Sequence, residues 1–125
     1  MRVFAALSEA EHVSRWFCDE AEVERGVGGR IVMRWSRQGA IPYHGRWVEF
    51  DPPRACAYEG GNHAYPDGVA GRVGFALAAE GGGGTRLSIL HQIPAGPGYE
   101  PFLERHRAAW PQAIARLEAY LSPPV

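Results

Sequence analysis

Lysine is missing from this chain altogether: every one of its 13 basic residues is arginine. That excludes chemistry built on a side-chain amine, whether a Schiff base, a pyridoxal-phosphate anchor or a Walker-type phosphate loop. Cysteine is scarce too. Cys18 and Cys56 are the only two, and without C-x-x-C spacing they suggest neither zinc nor a redox pair; both are expected to be reduced, buried spectators. Net charge is small, −1 over 125 residues, so no overall field draws the chain to nucleic acid or to an anionic membrane. No apolar run approaches the roughly 20 residues a membrane helix needs, and the N-terminus shows no signal-peptide pattern. A cytoplasmic protein without membrane insertion is the expectation. H-x-x-x-H pairs, paired acidic clusters and a G-x-S-x-G elbow are likewise absent. No metal or cofactor is expected, and no residue is nominated as catalytic.

What is present fits one domain spanning residues 1–125: 46% hydrophobic and 22% charged residues, enough for a single core. Val3 to Leu7 reads as a short helix. Ser8-Glu9-Ala10-Glu11 reads as a capping box that opens a second helix ending at Trp16-Phe17. Strand texture then runs over about Ala21 to Arg25, Arg30 to Ser36, Ile41 to Phe50, Arg54 to Glu59, Val69 to Ala79 and Thr85 to Gln92. Glycine and proline mark the junctions, at Gly28-Gly29, Pro52-Pro53 and Gly81 to Gly84. The glycine run has no lysine and strands on both sides, so it is a hairpin turn and not a phosphate loop. Asp51 is expected to organise the turn before Pro52. From Leu103 to Leu121 apolar residues recur every three or four positions, the period of an amphipathic helix. Pro111 should kink that helix or restart it just after Trp110. The element order makes an α+β domain whose sheet curls around its one long helix.

An ordered set of motifs makes the reading more specific. Val3-Phe4-Ala5-Ala6-Leu7-Ser8, Trp16-Phe17 and Gly28-Gly29-Arg30 precede Gly45-Arg46-Trp47-Val48-Glu49-Phe50-Asp51-Pro52-Pro53-Arg54. Gly83-Gly84-Thr85-Arg86-Leu87, His106 and Trp110 follow. The chain resembles the domain related to the activator of the heat-shock-protein-90 ATPase, within the START-like (SRPBCC) superfamily. His106 and Trp110 match the histidine and tryptophan of that family's last helix; its intervening glycine is Ala109 here. The resemblance implies a helix-grip fold, a curved antiparallel sheet wrapped around the long C-terminal helix with a cavity between. It also implies that the usual first strand, which lies inside the sheet, is missing. Either the Ala21 to Arg25 strand then closes directly on the Thr85 to Gln92 strand, or the chain starts at a misassigned codon, or a second copy covers the edge as a homodimer.

Strand alternation sorts side chains by face. Ile31, Met33 and Trp35 share one face, as do Val73, Phe75 and Leu77, and Leu87, Ile89 and His91. Between Ile41 and Phe50 both faces are apolar, which leaves the register open. The inner surface therefore offers Met33, Trp35, Tyr43, Trp47, Phe75, His91 and Trp110 as ligand-binding candidates. Apolar walls with a few polar tips suit a hydrophobic or aromatic small molecule. The same rings also serve simply as core, and His91 as a satisfied rim histidine. His12, His44 and His63 read as surface or loop residues. Two other functions stay open: a co-chaperone-like interaction module with a chaperone partner, and an enzyme resembling the superfamily's aromatase/cyclases. The enzyme needs two convergent polar groups in the cavity.

Overall fold

The computed structural model describes residues 2–35, 42–61, 71–93 and 100–122, except for the side chains of 101–103, 105 and 106. His63 and the side chain of His106 therefore lie outside the described residues.

Two helices open the chain, α1 (Arg2–Ser8) and α2 (Ala10–Trp16). Each is too short to hold its shape alone, so burial must stabilise it. α1 buries Phe4, Ala6, Leu7 and Ser8; α2 buries Val13 and Trp16. The expected capping box does not form. Ser8 ends α1 instead of opening α2, and its hydroxyl donates to the Phe4 carbonyl at 2.8 Å, a bond that serine often makes inside a helix. The same oxygen accepts from Arg25 at 3.2 Å. With Ser8 so engaged, Glu9 takes the N-cap position of α2 and makes no side-chain cap bond.

Six strands follow: β1 (Glu20–Val23), β2 (Arg30–Arg34), β3 (Tyr43–Asp51), β4 (Ala55–Gly61), β5 (Gly71–Ala79) and β6 (Thr85–Gln92). They form one antiparallel meander in chain order. The turn between β3 and β4 is held as expected by Asp51, whose carbonyl accepts from the Arg54 amide at 2.8 Å and whose carboxylate takes two bonds from the Arg54 guanidinium at 3.1 Å. The glycine run is a hairpin turn, with Gly82 and Gly83 at φ 84° and 86°, where a side chain would be strained. β1 and β6 are the two edges of the sheet and do not pair. Direct closure of the first strand on the last, one of the expected solutions, therefore does not occur.

The open register of β3 has a physical answer. The pairing shifts between Trp47 and Glu49, a bulge that inserts one extra residue into the strand. Trp47 and Phe50 thereby come to the same side, with ring centroids 5.2 Å apart, while Glu49 faces out and lies 3.9 Å from Arg72.

The last element, α3 (Glu100–Leu121), runs as a single helix through Pro111 and does not restart after Trp110. Among its described side chains Ala113 and Leu117 are buried, and Trp110, Tyr120 and Leu121 pack against the core. Ala109, where the family has glycine, is exposed. Two bonds tie the end of α3 to α2: the Arg116 Nε donates to the Trp16 carbonyl at 3.0 Å, and His12 Nδ1 shares a 2.6 Å bond with the Tyr120 hydroxyl. His12 is thus half-buried rather than a free surface residue. Among the described residues no helix is long and apolar enough to cross a membrane.

Candidate functional site

The inner face of the sheet meets α2 and α3 across a layer of aromatic rings, and a small cavity remains within it. Its walls come from α1 and α2 (Leu7, Val13, Trp16, and Phe17 just after α2), from β1 and β2 (Val23, Ile31, Met33) and from β3, β4 and β5 (Trp47, Tyr58, Phe75). The free volume is about 20 Å³. None of these residues carries an acid, an imidazole or a guanidinium. A charged group would lose its hydration here without gaining a partner, so the site suits apolar matter.

The sequence candidates divide into three groups. Met33, Trp47 and Phe75 line the cavity. Trp35 and Trp110 stand over it through Phe17: the Phe17 ring stacks on Trp110 at 5.7 Å and meets Trp35 edge-on at 5.4 Å. The Trp35 indole also donates to the Phe17 carbonyl at 2.7 Å, which fixes the cover in place. Tyr43 and His91 are not in the wall. Tyr43 lies edge-on to Tyr58 at 5.8 Å. His91 accepts the Trp110 N–H at Nδ1, 2.9 Å away, and so joins β6 to α3. Most of the remaining wall escaped the strand-face argument because it belongs to the helices. The adjacent pair Trp16-Phe17 was the one signal that could have pointed there, since two large rings at the end of a short helix need a covered surface.

The two cysteines sit in the same core and are free. Burial is the main cause that pushes both thiols from 9.0 up to about 12. Native thiols therefore resist ionisation, while those of the unfolded chain ionise near 9. Their contribution to stability is full below pH 9 and is lost as pH rises towards 12. Unfolding free energy should fall over that window by about 1.4 kcal/mol per pH unit for each thiol, beyond other alkaline effects. Urea titrations at pH 8 and pH 10, compared between the wild type and a Cys18→Ala/Cys56→Ala variant, measure this as the difference in alkaline loss.

Comparison with known proteins agrees with the fold. The family described as "Activator of Hsp90 ATPase homolog 1-like protein" matches residues 1–122. CalU16 from Micromonospora echinospora superposes with a TM-score of 0.75 at 24% identity, over 98% of this chain and 68% of that one. PFC0360w, an HSP90 activator from Plasmodium falciparum, gives 0.80 at 23% identity over 98% and 88%. The Aha1 dimer from Colwellia psychrerythraea gives 0.76 at 13% identity over 95% and 85%. At these identities the likeness shows the fold alone. No curated protein gives a significant match.

Proposed function

The chain belongs to the family of proteins like the activator of the Hsp90 ATPase, homologue 1, and from that premise we propose that it binds a small hydrophobic or aromatic molecule between the sheet and the two N-terminal helices, since α3, where the cavity was expected, contributes no described residue to its wall. One observation carries this reading: a cavity beneath the helices walled by apolar and aromatic side chains, with no carboxylate, imidazole or guanidinium among the described wall residues. At about 20 Å³ the resting cavity has room for one water-sized body and none for an aromatic ring. Binding must therefore displace the cover. Phe17 is the piece to move, because it reaches both the cavity wall and Trp110. An aromatase-like reaction gains no support, since the wall brings no pair of acid–base side chains together.

Native mass spectrometry on freshly purified protein tests the reading. A surplus mass that leaves on mild activation, or that follows added aromatic compounds, is the expected result. A clean chain mass that no apolar compound alters would remove the carrier reading. The same spectrum bears on a second one, a protein-interaction module. Two sheet edges that pair with no other described strand and the exposed side chain of Leu90 on β6 favour it, since open edges invite pairing with another chain. Twice the chain mass would point to a homodimer; addition of an Hsp90-type chaperone would reveal a larger complex.

A further inference from the structure

Four tryptophans put four indole N–H donors into or around the core. Three have acceptors at hydrogen-bond distance: Trp16 donates to Ala6, Trp35 to Phe17 and Trp110 to His91, at 2.7, 2.7 and 2.9 Å. The fourth, Trp47, is 2% exposed, and its Nε1 finds no partner among the described residues. Among the described residues it is also the one buried side-chain polar atom so placed. A buried donor left unmade is costly, and native proteins keep very few. Trp47 forms part of the cavity wall. Water is a poor partner there, since a buried water needs roughly two to four polar neighbours and these walls are apolar.

Resting on the ligand reading above, we infer that Trp47 Nε1 is the polar anchor of the cavity, and that its ligand is an apolar, ring-sized molecule bearing a hydrogen-bond acceptor such as a carbonyl oxygen. The bulge in β3 supports the assignment. By inserting one residue after Trp47 it turns both Trp47 and Phe50 inward, and so seats the indole within the core instead of on the outer face. The acceptor needs no charge, and a carboxylate does not suit the site, because no described cationic side chain lines the wall to pair with it.

Styrene and benzaldehyde are the probes, nearly identical in shape and differing in a terminal CH₂ against an oxygen. Both are titrated into the ¹⁵N-labelled full chain and into Phe17→Ala, whose opened cover enlarges the cavity. The Trp47 indole signal is identified by its loss in Trp47→Phe. Benzaldehyde should bind about fivefold more tightly than styrene, the scale of one net hydrogen bond, and should move the Trp47 N–H signal downfield while the other three indoles stay. Replacing Trp47 with its benzothienyl isostere, which keeps the shape and loses the donor, should abolish that preference. Equal affinities with no selective shift would overturn the anchor and leave the ligand reading standing. If neither probe binds either protein, the ligand reading falls and the anchor with it.

Discussion

Trp16→Ala should destabilise the domain by about 3–5 kcal/mol, the range for removing a buried tryptophan and a large share of the stability of a fold this size. The residue is 5% exposed, and its indole forms part of the cavity wall. Its second role is local. The last carbonyls of a helix have no partner within that helix. At the end of α1 the Ala5 carbonyl accepts from Glu9, and the Ala6 carbonyl accepts from the Trp16 indole at 2.7 Å. The Trp16 carbonyl in turn accepts from Arg116, so one residue links all three helices. Trp16→Phe keeps most of the apolar contact but orphans the Ala6 carbonyl. It should cost about 1–3 kcal/mol, less than the alanine variant. Urea denaturation followed by circular dichroism gives both values from the midpoint shift. If Trp16→Ala unfolded at the wild-type midpoint, α1 and α2 would be spectators of the cooperative unit, and the burial argument for two short helices would be wrong.

The parts of this structure that were legible in the sequence are those with a strict period or a steric punctuation mark. β6 ends where alternation of Leu87, Ile89 and His91 says it should, and Asp51 holds the turn that two prolines announce. Beyond that, two kinds of information were hidden. The bulge in β3 breaks the two-residue period by one position, so Trp47 and Phe50, three apart, share a face that alternation assigns to only one of them. Ser8 shows the other kind. A hydroxyl before an acidic residue fits a helix start, but its actual partners are a carbonyl one turn back and an arginine far along the chain. The same limit applies to the site. Met33 and Phe75 could be found because their strands declare an inner face, whereas Trp47 was a candidate from a strand whose register stayed open. Phe17, Trp16 and Leu7 could not, because a short helix with apolar residues on most sides does not say which of them meets the sheet. Nor does any pattern encode how tightly the rings close, so the size of the expected cavity was open, and a small one is found.

Trp110→Ala should loosen α3 unevenly, and the unevenness matters more than the average. Pro111 has no N–H, so the helix lacks the bond that residue would make to the carbonyl of Arg107. The helix is weakest there, between two differently anchored halves. The half after Pro111 has Ala113 and Leu117 in the core, Arg116 on the Trp16 carbonyl and Tyr120 on His12. Just before it stands Trp110, stacked on Phe17, edge-on to Phe75 at 6.2 Å, and bonded to His91. Because Trp110 is only partly buried, its loss should cost about 2–4 kcal/mol, somewhat under the range for a fully buried ring. Trp110→Phe preserves the stack and forfeits the bond, a loss of about 1 kcal/mol. Amide hydrogen exchange read by mass spectrometry separates the halves: Trp110→Ala should speed exchange over residues 100–110 well beyond 112–121. Removing the tryptophan also takes the backing from Phe17, so an aromatic probe should enter the cavity faster in this variant than in the wild type. Equal acceleration along the whole helix would mean that α3 docks as one rigid piece. The route into the cavity would then need another gate than the ring that Trp110 holds down.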